Sequence, residues 1–425
     1  MPTPADETRV RLAELLAALS LGVDLGFNQP MEHVLRQTVI ALRIADVLGF
    51  DAAQRSSLYH SSLLVNVACH TDAHEQAKWF GDDIRLKETK YSHGLRGPKA
   101  AVAGMKVMGG IGRPLLQRFR IGVEFAMYGR KEVANMVDGH AALAKAFAKE
   151  LGMDDDVQAA VASSYEQWDG KGWPGDLKGE AIPLAARISQ LAEFVEAAYR
   201  AGGAEAATAM ARKQLGKQFD PALVDLLCTN ADAILQGLQD INVWATVIDN
   251  EPSLSRPLTE DEFDRALEAV ANFVDLKSPY TLGHSAAVSE LAHDAAVHRN
   301  MSAEDARMLR RAALVSGFGR LGVSNAIWDK PGSLGTGNGN AFGSTRISRN
   351  ACSASHPNWR SCRRSQCSTA SDSTDRATPR AQPAARSHDR RGCSPPPTCT
   401  SRCANHDRFA KPAPPMTRPR NCGPK

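Results

Sequence analysis

Apolar positions recur at helical spacing along most of the chain up to Leu334. Arg9 to Ser20 is a short amphipathic stretch, and Gly22 to Pro30 reads as a loop. Met31 to Leu48 places Val34, Ile40, Ile44, Val47 and Leu48 broadly on one side of a helix, and Ala52 to Ala68 continues as a second. Between them, Gly49-Phe50-Asp51 offers a glycine stop followed by an Asp N-cap, as a helix hairpin requires. Gly81 to Pro114 is polar and glycine-rich and reads as a long insertion with weak structure. Helical patterns resume at Lys131 to Leu151 and Asp154 to Gln167, then at Pro183 to Tyr199, Pro221 to Leu238 and Glu260 to Val274. No strand ladder is announced, so the expected fold class is all-α, a helical bundle.

The pattern also starts twice. Aligned without gaps, His33 to Val65 falls on His284 to Ser316, pairing Ala41 with Ala292, Ala45 with Ala296, Leu58 with Leu309 and Leu63 with Leu314. A tandem arrangement follows. The first domain is expected over residues 1–250, with an insertion at about 75–130. The N-terminal half of a second is expected over 260–334, followed by a disordered tail over 335–425.

Composition sharpens that last boundary. Leu334 is the last leucine and Val323 the last valine, while no glutamate follows Glu304 and no tyrosine follows Tyr280. Residues 335–425 hold 16 Lys or Arg against 4 Asp, a net of +12; the whole chain carries +4, so the rest is left at −8. Seven of the nine cysteines lie in the tail, and Cys69 and Cys228 alone lie in the body, which fits a reducing compartment without disulfides. With no long apolar run and no signal-peptide order at the start, the expected location is cytoplasmic, with no membrane partner.

In the second copy the segments that stand out are Ser278 to Ser285, Ala312 to Gly322 and Lys330-Pro331-Gly332. In the first they are Tyr165 to Pro174, with its Asp169-Gly170-Lys171-Gly172-Trp173-Pro174 turn, then Ile182 to Ile188 and Phe219-Asp220-Pro221. Taken together, these segments resemble the HD-GYP branch of the metal-dependent HD-domain phosphohydrolases. The resemblance implies a helical HD-type bundle, clustered His and Asp side chains holding divalent iron or manganese, and hydrolysis of cyclic di-GMP or another phosphodiester by a metal-activated water.

Matched residue by residue, that implied ligand set is incomplete. His33 falls on the family's first histidine and His140 on a later one, but the His-Asp pair falls on Val65 and Asn66, the later His-His pair on Ser164 and Tyr165, and a metal-binding Asp on Glu193. In the second copy His284 is kept, while the His-Asp pair falls on Ser316 and Gly317. The candidate metal ligands are therefore His33, His140 and His284, each also readable as an ordinary polar helix residue. Asp169, Gly170, Lys171, Gly172, Arg187 and Glu193 are candidates for meeting a substrate phosphate, or for a turn that packing alone requires. Cys69, His70, Asp72 and His74 form a further cluster, in which His70 and His74 could share a metal or lie on a solvated helix face.

The basic tail could meet nucleic acid through charge alone. A second reading is sharper: back-translated and read one base earlier, Ser368 to Pro379 permits His-Arg-Glu-Arg-Leu-Asp-Gly-Ser-Gly-Tyr-Pro, and Arg386 to Cys399 permits Ile-Thr-Arg-Pro-Ala-Arg-Val-Leu-Ala-Ala-Ala-Asp-Val-Tyr. Those are the family segments that the second copy lacks, so a frameshift between Gly332 and Ser368 is expected. The functional expectation is an HD-GYP-like signalling protein whose metal site is eroded and whose hydrolysis of a cyclic dinucleotide is weak or absent. The alternatives are a non-catalytic module that senses a nucleotide or scaffolds a protein partner, and the remnant of a LuxR-type helix-turn-helix regulator.

Overall fold

A computed structural model of the protein describes residues 10–93, 115–252 and 258–332, and these belong to one compact unit. The expected tail over 335–425, with its frameshift, lies outside the described residues. The all-α expectation holds: among the described residues there is no strand ladder, and an isolated bridge between Leu215 and Phe219 is the nearest approach to one. No described helix is long and apolar enough to cross a membrane.

Chain order is α1 (Leu12–Gly26), α2 (His33–Leu48), α3 (Ala52–Leu63), a 3-10 turn (Val67–His70), α4 (Ala73–Phe80) and α5 (Asp83–His93). It continues with α6 (Leu115–Glu124), α7 (Arg130–Glu150), α8 (Asp155–Ala162), α9 (Leu184–Lys213), α10 (Pro221–Thr229), α11 (Ala231–Leu235) and α12 (Val243–Asp249). The second copy supplies α13 (Glu260–Asp275), α14 (His284–His298), α15 (Ala303–Leu314), a 3-10 segment (Val315–Gly322) and α16 (Asn325–Trp328).

The α2–α3 hairpin forms as its sequence signals. Gly49 takes the left-handed conformation that ends α2, with φ +70°, and the Asp51 side chain accepts the Gln54 amide in a capping box that opens α3. Two expectations need correction. Gly22 does not end α1. A Cβ there would stand 2.6 Å from the Phe318 ring, so the glycine admits a second-copy side chain against the helix. The polar segment after Gly81 is not all weak structure either, because residues 83–93 form α5; its remainder, 94–114, lies outside the described residues. Amphipathic polarity hid that helix, since the buried side chains among its described residues are Asp83, Lys87 and Lys90.

The repeat is structural and reaches further back than its sequence match. Glu32 and Gly283, equivalent positions before α2 and α14, both hold φ +72°. Asp24 Oδ1 accepts the Val34 amide at 3.1 Å, and its counterpart Asp275 accepts the Ser285 amide at 2.6 Å. One hydrophobic cluster runs from α1 through α2, α3 and α9 into α13 and the Val315–Gly322 segment. Polar joints add to it. Asp83, fully buried, accepts from Lys87 and Lys277 and from the Ser324 hydroxyl and Asn325 amide of the second copy. Burial alone would raise that carboxyl; the two ammonium groups outweigh it and hold Asp83 at about 2.

Candidate functional site

Three elements converge where the first copy was expected to hold metal. The start of α2 brings His33, the turn after α3 brings Asn66 and Cys69, and α9 brings Glu193 and Glu196, while His140 on α7 and Tyr165 after α8 close one side. The residues matched to family ligand positions therefore do gather. What they gather around is a side chain.

That side chain is Lys90 from α5. Its ammonium donates to Glu193 Oε1 at 2.7 Å and to Asn66 Oδ1 at 2.9 Å, and it is only 6% exposed. Glu193 Oε1 also accepts from Asn66 Nδ2 at 2.5 Å and from the Tyr91 hydroxyl at 2.8 Å. Tyr165 donates to Asn66 Oδ1 at 2.6 Å. Aromatic faces surround the ammonium, with the Tyr165 ring centre at 4.9 Å and those of Tyr91, Phe27 and Phe194 at 5.6 Å, an arrangement that stabilises a desolvated cation. Burial would raise Glu193, but Lys90 draws it below the ordinary carboxylate range.

The histidines are equally committed. His33 Nδ1 contacts Glu196 Oε2, and its Nε2 lies 3.3 Å from the Tyr91 hydroxyl. Glu196 is also held by Arg36 Nε at 2.8 Å; burial would raise it, and His33 with Arg36 brings it down to about 2. His140 Nδ1 lies 3.1 Å from Asp72 Oδ2, and its Nε2 lies 3.6 Å from Cys69 Sγ. Burial would depress that imidazole, but Cys69 and Asp72 raise it to about 10, so it is a cation at neutral pH. Both rings are thus tied to a neighbouring carboxylate through Nδ1.

This donor set does not fit the family's metal. Asn66 and Tyr165 are neutral, Val65 is buried in an apolar cluster with Cys69 and Val34, and the Lys90 ammonium already pairs with Glu193. Among the described residues, no three His, Cys, Asp or Glu side chains converge to hold a metal ion.

The remaining candidates disperse. His284 is exposed at the start of α14, far from burial like that of His33. Asp169 takes the Lys171 amide at 3.0 Å, and the Lys171 ammonium pairs with Asp169 Oδ2 at 3.2 Å with its side chain 75% exposed. Gly172 passes so close to the Glu166–Gln167 backbone that a Cβ would stand 2.2 Å from the Gln167 nitrogen, and Gly170 holds φ +75°. Glu166 Oε1 organises the rest of the turn by accepting three amides, Gly175 to Leu177. Arg187 is bonded to Asp220 at 2.6 Å and to the Ile182 carbonyl at 2.9 Å. These contacts hold the turn and Arg187 in place and leave the Lys171 side chain exposed. Glu193, placed with the phosphate candidates, is bonded to Lys90, Asn66 and Tyr91. His70 and His74 separate as well: His70 Nε2 meets the Phe273 carbonyl at 2.6 Å and His74 meets Asp329.

Lys90, Tyr91, Asp24 and Glu196 were not among the sequence candidates. A signal for the first two existed in the spacing of Asp83, Lys87, Lys90 and Tyr91 along one helix face. Asp24 is buried under His33 with Oδ2 unpartnered, and burial pushes its carboxyl up to about 7.

Comparison with known proteins agrees with this architecture. The family model described as HD domain matches residues 130–223. The chain is 28% identical over 326 residues to the 3'3'-cGAMP-specific phosphodiesterase 3 of Vibrio cholerae, spanning 76% of this chain and 71% of that protein. It is also 42% identical over 69 residues to the cyclic di-GMP phosphodiesterase response regulator RpfG of Xanthomonas campestris, a match limited to 15% of this chain and 18% of that one. The crystal structure of a cyclic GMP-AMP specific phosphodiesterase from V. cholerae superimposes with a TM-score of 0.60 at 25% identity, covering 84% of this chain and 85% of that one.

Proposed function

Because the chain belongs to the HD-domain phosphohydrolase family, we propose that its first repeat, over residues 1–250, is a non-hydrolysing member of that family, a module of cyclic-dinucleotide signalling in which a lysine takes the place of the metals. The observation that carries this reading is the Lys90 ammonium, bonded to both Asn66 and Glu193 at positions that match family ligands. Hydrolysis through an activated water needs a cation with an open coordination position. An ammonium supplies the charge without that position, so the charge balance and packing of the site are kept while its chemistry is lost. The relatives' cyclic-dinucleotide substrates support the ligand class. The second repeat is taken as residues 260–334.

The test is metal content and turnover of the full chain purified after growth with iron and manganese. Well under one equivalent of either metal, with no linear product from 3'3'-cGAMP or cyclic di-GMP, is expected. Stoichiometric metal together with turnover that disappears in His33→Ala would overturn the proposal. For residues 335–425 we take the out-of-frame reading, supported by the loss of Leu, Val, Tyr and Glu and the +12 charge. Sequencing the coding DNA from the Asp329 codon onward decides it, since codons incompatible with the shifted segments leave the tail a genuine part of the protein.

A further inference from the structure

The two copies present the same helix face to different surroundings. In the first, the stripe His33, Gln37, Ile40 and Ile44 along α2 is buried, with Ile40 and Ile44 at 0% exposure, and α9 packs along α2. Glu196 on α9 contacts His33 and Arg36 at the head of that stripe. In the second copy the equivalent residues are His284, Val288, Leu291 and Ala295 on α14. Leu291 is 69% exposed, His284 and Ala295 are exposed, and Leu282 beside them is exposed as well. The opposite side of α14 is packed normally: Ser285, Ser289 and Ala296 are buried, and α15 lies against the helix as α3 lies against α2. This apolar stripe has no cover, and no described helix takes the role that α9 has in the first copy.

We infer that this face of α14 is a docking surface for a helix of the α9 type: an amphipathic helix whose apolar stripe covers Leu291 and Ala295 and whose carboxylate meets His284. The internal repeat is the argument for that occupant, because the first copy shows which kind of helix fits this face, and the Glu196–His33 contact gives the charge complement at its head. A long apolar side chain left in water at the middle of such a stripe gains free energy when a helix covers it. The inference depends on the repeat and not on whether the first copy hydrolyses anything.

The probe is a fluorescein-labelled peptide with this chain's own Ile182 to Tyr199 sequence, titrated into the full chain and followed by fluorescence anisotropy. Saturable binding with one peptide per chain is expected, weakened about tenfold or more by Leu291→Asp, a loss equal to about 1.4 kcal/mol. Leu291 is exposed, so the variant is expected to melt like the parent, and Ala295→Arg gives a second reading on the same face. A peptide carrying Glu196→Gln is expected to bind a few-fold more weakly. Absence of binding overturns the inference, as does binding that neither variant weakens. Sedimentation velocity distinguishes the other occupant: a dimer of the chain that Leu291→Asp dissociates and the peptide fails to displace makes the face a self-association surface and also overturns it.

Discussion

His33 and His284 stand at the same position of the two repeats, yet one is sealed beneath α9 and the other faces solvent. Their helices begin from the same left-handed residue and are tied back by the same aspartate, so the local fold does not distinguish them. The difference lies in what covers them. In the first copy, α9 and α5 enclose a centre that must then be neutralised, and Lys90 does so. In the second, no such enclosure exists among the described residues, so His284 needs no partner. One histidine position thus has two physical settings: beside a buried charged centre where helices enclose it, and in solvent where none of the described helices covers it.

The largest expected effect comes from removing the Lys90 ammonium. Lys90→Met leaves Glu193 charged and buried with only neutral donors, which costs about 3–5 kcal/mol when one partner of a buried pair is deleted. Denaturant unfolding of the full chain measures it. The double variant Lys90→Met with Glu193→Gln is expected to recover more than half, since no net charge then remains in the pocket. A double variant as unstable as the single would show that Lys90 acts by packing and not as a counter-charge.

Next is the pair that sets the two stripes against each other. Ile40→Ala removes a fully buried side chain and is expected to cost about 2–5 kcal/mol, whereas Leu291→Ala at the equivalent position should change stability by less than about 0.5 kcal/mol. Equal losses would mean that α14 is covered in solution, and the contrast between the copies would then collapse.

Much of this was legible beforehand, and for identifiable reasons. The α2–α3 hairpin announced itself through Gly49 and Asp51, and the repeat through aligned alanines and leucines, because caps and apolar periodicity act locally. The convergence of His33, Asn66, His140, Tyr165 and Glu193 was readable through the family resemblance. Lys90 was not, since α5 lies in a polar segment and its role exists only once Glu193, over a hundred residues later, is folded against it. Gly22 misled for a related reason: its neighbour Phe318 belongs to the other copy, so a residue that reads locally as a breaker is a packing contact globally.

The aspartates that tie back α2 and α14 offer a pH-resolved version of the comparison. Asp275 receives both the Ser285 amide and the Ser285 hydroxyl, the latter at 2.7 Å, whereas Asp24 faces Val34, which has an amide but no hydroxyl, and its Oδ2 is unpartnered. Burial raises Asp24 from 3.8 to about 7, so the folded state favours its protonated form. Its contribution to stability is therefore fully present below about pH 4 and lost as the pH rises through 7. Asp24→Asn removes that titration. Relative to the parent, the variant is expected to gain roughly 2–4 kcal/mol between about pH 4 and pH 8. Urea midpoints across the range provide the measurement, and parallel pH profiles for the two proteins would show that Asp24 stays ionised throughout.

The smallest effect is expected at His284, and its smallness is informative. In the first copy, His33→Ala leaves Glu196 in the interior with Arg36 and Arg200 as its remaining ionic partners, which should cost about 1–3 kcal/mol. In the second, His284→Ala removes an exposed side chain from the first turn of α14 and should shift stability by less than about 0.5 kcal/mol. Unfolding of both variants in urea, with and without excess manganese, tests the pair directly. If His284 held a metal, manganese would stabilise the parent by an amount that grows with its concentration, and His284→Ala would abolish the gain. Identical curves with and without manganese, for parent and variant alike, are what an uncovered helix face without a cation site predicts.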